Sequence, residues 1–201
     1  MFNKFFKNTF WLAFGEIAGR LLRIVLVLYA ARVLGAANWG IFSYALSMAA
    51  MFTVLADIGL SAVMTREIVK DPDNKHQYLS NSLILKVILI ILTSTTIVFI
   101  TPLFSNLALS TGLLVFIALL IMADNLRLYT ASLNRALEKM HLEAITNIIT
   151  QFFIMILGLW VLIHKPTAEN LATSYFVGSL IGLIFSLWTV RHHIKDFFGK
   201  F

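Results

Sequence analysis

FWLAFGEIAGRLLRIVLVLYAARV, residues 10–33, is nearly all apolar, yet it carries Glu16, Arg20 and Arg23. About 20 apolar residues cross a bilayer as a helix, so the stretch has the length of a membrane span. Its three charges stand at i, i+4 and i+7, which places them on one helical face. A charge near the bilayer centre costs at least about 2.5 kcal/mol, so that face has to meet protein or trapped water. Such a helix is no simple anchor. It requires other helices around it.

Composition supplies them. The chain has 201 residues, 59% hydrophobic and 13% charged, with a mean hydropathy of +0.86. A soluble domain carries about 25% charged residues, so the expected class is an all-α integral membrane protein. The formal charge of +6 is assigned to basic loops that fix orientation, and no nucleic-acid partner is expected. The absence of cysteine excludes disulfides, thiolate catalysis and Cys-ligated metals. The apolar run at the start is expected to stay in place as a span, because it is too long, contains charges and lacks a small-residue cleavage site.

Hydropathy divides residues 1–201 into a single bundle of six spans, at about 10–33, 39–62, 78–103, 112–130, 144–163 and 171–190. MFNKFFKN before the first span reads as an amphipathic interfacial lead-in. LGAANWG reads as a tight turn, and TREIVKDPDNKHQ (65–77) as a hydrophilic loop turning at Asp71-Pro72-Asp73-Asn74. Residues 132–143 read as a polar loop and RHHIKDFFGKF as a basic tail. One side gathers Lys4, Lys7, Arg66, Lys70, Lys75, Arg135, Lys139, Arg191, Lys195 and Lys200, while the other has only Arg32 and Lys165. The excess of Lys and Arg on the cytoplasmic side predicts an inner-membrane protein with both termini in the cytoplasm.

The remaining bases, Arg20, Arg23, Lys86 and Arg127, fall inside spans, with Glu16, Asp57 and Asp124 as the acids. At about 1.5 Å per residue, Glu16 lies about 9 Å and Arg23 about 20 Å from the cytoplasmic start of the first span. Asp57, Lys86, Asp124 and Arg127 fall in the cytoplasmic third of theirs, which predicts a wet vestibule under an apolar outer layer. Arg20, Arg23, Lys86 and Arg127 together would form a cationic patch for phosphate oxygens, which arginine binds in bidentate fashion. The patch suits a phosphate-bearing lipid headgroup, with Glu16 and Asp124 beside it. Local pairing competes with that role: Glu16 with Arg20, Asp124 with Arg127, Asp57 as a cap or a latch against Arg66, and Lys86 snorkelling to the interface. Trp11, Trp39, Tyr78, Trp160, Tyr175 and Trp188 read as interfacial belt residues.

No catalytic constellation is present. The sequence lacks a phosphate-cradling glycine loop, and its histidines lie in loops, at helix ends or in the tail. His192-His193 reads as a solvated pair, not a metal site. No enzyme activity, metal or cofactor is expected, apart from a coupling ion, proton or sodium, that the residues do not identify.

The pattern AARVLGAANWGIFSYALS followed by LADIGLSAVMTREI, and later LNRALEKMHLEAITNII, resembles the oligosaccharide flippases. These form the polysaccharide biosynthesis branch of the multidrug/oligosaccharidyl-lipid/polysaccharide exporter superfamily. Arg32, Leu34, Gly35, Gly40, Asp57, Gly59, Leu60, Arg66 and Glu67 carry the match, then Arg135, Ala136 and Lys139. The resemblance implies a transporter that moves polyprenyl-pyrophosphate-linked oligosaccharide between leaflets by alternating access around a cationic cavity. Within it, Arg32, Gly35, Asp57, Gly59 and Arg66 would be structural or gating residues. Such transporters have two six-helix lobes, and this chain matches the first. The expected partners are the lipid-linked oligosaccharide, membrane lipid and a second lobe, from a split or truncated gene or a second copy. The competing readings are a multidrug exporter of the same superfamily and a non-transporting membrane scaffold for glycosyltransferases.

Overall fold

A computed structural model describes residues 2–71, 73–104 and 109–191, with side chains outside 2–5 and 75. The basic tail after Arg191, with His192, His193, Lys195 and Lys200, lies outside the described residues, as does Pro72 of the turn. The described residues are helical throughout: α1 (Phe2–Thr53), a 3-10 turn (Val54–Ala56), α2 (Leu60–Lys70), α3 (Lys75–Ile100), a second 3-10 turn (Thr101–Phe104), α4 (Thr111–Ala136), α5 (Met140–His164) and α6 (Ala168–Thr189). Among them, five helical segments are long and apolar enough to cross a membrane.

The first of these segments runs from Phe6 to Lys70 and takes in what hydropathy divides into two spans. The expected turn over residues 34–40 is compressed into one residue, Gly35, with φ 70° and ψ 172° inside otherwise helical backbone. An L side chain in that left-handed region meets its own backbone, so conformation selects glycine there; a Cβ at Gly35 would touch nothing within 4 Å. Arg23 and Val27 before Gly35 share one cavity with Leu46, Ser47 and Ala50 after it. A straight helix would hold Arg23 and Ala50 about 40 Å apart. The two limbs, 2–34 and 36–53, therefore fold back toward each other at Gly35.

Lipid gives helices no hydrophobic reason to associate, so close packing has to hold them. Gly15 and Gly19 of GEIAG lie buried against α5. A Cβ at Gly15 would stand 2.8 Å from Ala144 Cα, and one at Gly19 3.1 Å from Asn147 Nδ2. Asn147 Nδ2 in turn donates to the Gly15 carbonyl at 3.2 Å. On the other face of α5, Gly182 of α6 takes the Thr150 hydroxyl where a side chain would otherwise stand. The main core, including Leu26, Phe42, Ile117, Ile154 and Leu171, fills the space enclosed by α1, α4, α5 and α6. Outward apolar side chains such as Ile84, Ile88, Ile91 and Leu92 of α3 remain exposed.

Two stretches read as polar loops are helical. The first, from Thr65, continues α2 to Lys70 because Met64 and Ile68, one turn apart, bury against Leu79, Tyr129 and Leu133. Of the polar residues between them, Arg66 is exposed and Thr65 turns toward α4. The turn itself begins at Asp71, whose carboxylate accepts Asn74 Nδ2 at 2.7 Å. The second stretch extends α4 to Ala136. Ser132 and Asn134 are buried: Thr65 Oγ1 donates to the Ser132 carbonyl at 3.2 Å and Asn134 Nδ2 to Thr189 Oγ1 at 3.3 Å. Glu138, at φ 56°, reverses the chain. Arg135 and Glu143 form an ion pair across that reversal, so α5 starts at Met140.

Candidate functional site: a polar cavity in the helical core

The charges that sequence reading groups into one patch separate into three arrangements. The first is a cavity of about 420 Å³ where α1, α4, α5 and α6 converge. Arg23 and Asp124 line it with Gln151, Ser43 and Ser47, and Trp39, Phe42 and Tyr175 form an aromatic wall. Arg23 Nε donates to Gln151 Oε1 at 3.4 Å. Asp124 Oδ1 accepts the Ser179 hydroxyl at 2.6 Å and lies 3.3 Å from an Arg127 terminal nitrogen. Arg127 sits behind the carboxylate with 12% of its side chain exposed, outside the cavity lining. Its pairing with Asp124 follows the i, i+3 reading.

The second arrangement is the Glu16–Arg20 pair, 3.6 Å apart, with 62% and 77% of the side chains exposed. It continues the Arg23 face of α1 toward the N-terminus but takes no part in the cavity lining. In a span, that degree of exposure leaves the pair facing water or another protein, since lipid solvates neither charge.

Lys86 belongs to the third and does not snorkel. It is fully buried, with Nζ donating to Asp57 Oδ1 at 2.7 Å and to Asn125 Oδ1 at 3.1 Å. Asn125 Nδ2 donates to the Ile121 carbonyl, and Ser61 adds a 2.5 Å bond to the Asp57 carboxylate. Asp57 therefore latches onto α3 through Lys86, which in turn reaches Asn125 of α4, and not onto Arg66, which pairs with Glu67 at 2.7 Å. The knot sits where the backbone breaks at Ile58 (φ 44°) and Gly59 (φ 79°), the N-cap of α2. Lys86 is thus removed from the cationic patch, as Arg20 and Arg127 are from the cavity wall. Arg32 and Gly35 stand exposed at the fold-back.

The cavity also enlists residues that sequence reading places elsewhere or passes over. Trp39 and Tyr175 face the cavity instead of forming an interfacial belt, and Tyr175 is 6% exposed. Gln151, Ser43, Ser47 and Ser179 are not anticipated. A signal for Gln151 exists: Glu143, Asn147 and Gln151 recur every fourth residue along α5 and so share one helical face, of which Asn147 and Gln151 bond to α1.

Residues 5–201 match the polysaccharide biosynthesis protein family. The chain belongs to that family. Among curated proteins and among solved structures, no match to it is found. Membership of the polysaccharide biosynthesis family covers almost the whole chain and agrees with the resemblance carried by Arg32, Gly35, Asp57, Gly59 and Arg66. With its apolar helices, this member of the family is a multi-pass membrane protein.

Proposed function

We propose that this chain is the first lobe of a flippase that moves polyprenyl-pyrophosphate-linked oligosaccharide across the cytoplasmic membrane, with both termini inside. The observation that carries the reading is the convergence of Arg23, Asp124 and Gln151 on one cavity between α1, α4, α5 and α6. Polar groups are costly at such depth and are kept where a polar cargo needs them. In this reading each limb of α1 crosses once, which gives six spans, and a second lobe covers the exposed Glu16–Arg20 face and supplies the opposing wall. The two lobes then alternate about the cavity as parallel repeats do. A multidrug exporter of cations would favour an uncompensated acid, whereas Asp124 is compensated by Arg127.

Binding of a fluorescent polyprenyl-pyrophosphate disaccharide to the purified full chain tests the reading. Saturable binding is expected, and Arg23→Ala should weaken it about tenfold through loss of a charged hydrogen-bond donor. A folded wild type without binding would sink the proposal.

A further inference from the structure

We infer that the groove between α2 and α3 holds one membrane phospholipid, and that its polar end selects a zwitterionic headgroup with a primary amine, the chemistry of phosphatidylethanolamine. The groove is separate from the cavity and the inference does not depend on the cargo proposed above.

Geometry makes the first argument. Leu60, Val63, Met64 and Glu67 line one wall, at i, i+3, i+4 and i+7 on α2, and the other wall repeats that spacing on α3 from Tyr78 to Leu85. Between them lies a space of about 240 Å³, below the usual range of small-molecule sites, about 300–1,000 Å³. Val63 and Leu85 at its edge are exposed, as are Ile84 and Ile88 beside it, so the groove opens outward onto an apolar surface. An empty apolar groove forfeits the dispersion contacts of its lining. In a bilayer an acyl chain supplies them.

Polarity is graded along the groove. Glu67 and Tyr78 stand nearest in sequence to the turn at Asp71–Asn74, and Leu60 and Leu85 farthest from it. Glu67 lies about 10 Å along the helix from Leu60. Tyr78 marks the depth of the headgroups, where tyrosine gathers in membrane proteins. A lipid in this register lays its chain against Leu60, Val63 and Leu85 and brings its headgroup to Glu67.

Charge makes the second argument. Glu67 Oε1 is 2.7 Å from an Arg66 terminal nitrogen, while Lys70 stands 3.9 Å away, beyond hydrogen-bond reach. Glu67 Oε2 accepts no hydrogen bond from the described residues. From Arg66 to Lys75 the bases Arg66, Lys70 and Lys75 are matched by the acids Glu67, Asp71 and Asp73. An anionic headgroup therefore finds no net positive charge here. A zwitterion satisfies both signs: its ammonium donates to Glu67 Oε2, and its phosphodiester reaches Lys70. A choline headgroup has the same charges but no N–H, so it cannot make the charge-assisted hydrogen bond to the carboxylate.

The test titrates the purified full chain, in mild detergent, with phosphatidylethanolamine, phosphatidylcholine and phosphatidylglycerol of identical acyl chains. Native mass spectrometry counts the bound lipid. Wild type should bind the ethanolamine lipid about tenfold more tightly than the choline lipid, through one hydrogen bond to a charged group, and more tightly than the glycerol lipid. Glu67→Ala should erase that gap and, with Arg66 released, favour phosphatidylglycerol. Val63→Trp and Leu85→Trp, each on the exposed edge, should weaken all three lipids by blocking the chain, and they decide the place of binding even where Glu67→Ala folds poorly. No gap between the ethanolamine and choline lipids in wild type, or a preference for the glycerol lipid, would overturn the headgroup assignment. Binding untouched by both tryptophan variants, or no lipid bound to wild type, would overturn the groove as the site.

Discussion

Lys86 is the residue at which burial and charge conflict most sharply. It is fully buried, and its bonds to Asp57 and Asn125 replace water. Breaking a buried ion pair by removing one partner costs about 3–5 kcal/mol, whereas replacing both by apolar groups is often neutral. Lys86→Ala should therefore lose stability toward the low end of that range, because Asp57 keeps 35% of its side chain exposed. The double change Asp57→Leu/Lys86→Met should recover most of the loss; thermal melting in detergent, followed by tryptophan fluorescence, reads both. A double variant as unstable as the single would contradict the account of the knot. Sequence spacing could not find this pair, because the partners stand 29 residues apart and helical periodicity only relates neighbours within a turn. It did find Asp124 with Arg127, which lie one turn apart. Gln151 escaped because an amide in an apolar helix carries no charge to draw notice, although its four-residue spacing from Asn147 was there to be read.

At the scale of elements, polarity was the misleading signal. Ser132, Asn134 and the residues around Arg66 look like loop in a hydropathy profile, yet they extend helices because interhelical hydrogen bonds and one apolar stripe satisfy them. Hydropathy measures affinity for water and cannot tell a hydroxyl that faces water from one that faces another helix. The tight turn over residues 34–40 was legible, but its reduction to a single positive-φ glycine was not, since Gly35 is one of seven residues there. Gly35 and Gly40 offer a comparison that isolates the cause. Neither would clash through an added Cβ, and only Gly35 has positive φ. Gly35→Ala should cost about 1–3 kcal/mol, because its φ and ψ lie in a region essentially only glycine adopts, while Gly40→Ala should be neutral or gain up to about 1 kcal/mol from helix propensity. Equal effects in parallel melting experiments would mean that Gly35 does not hold the bend.

For the whole molecule, composition and span length were enough to identify an all-helical membrane protein, and the family match bears out the resemblance read from the Arg32–Glu67 region. What they could not supply was the partition of the charges. One cationic patch was expected; the fold divides its members among a cavity, an exposed stripe and a buried knot, according to which helical face each side chain occupies after α1 doubles back. The central proposal is that the cavity lined by the two limbs of α1 is reached by water from the cytoplasmic side. The chain has no cysteine, so single introduced thiols report without background. In inside-out membrane vesicles, Ser47→Cys on the cavity wall should react with a membrane-impermeant maleimide, while Ala49→Cys, buried two residues along the same limb, should not. Labelling of Ser47→Cys from the cytoplasmic face alone is the predicted result. A Ser47→Cys as silent as Ala49→Cys, or one labelled only from the opposite face, would contradict the cavity or its orientation.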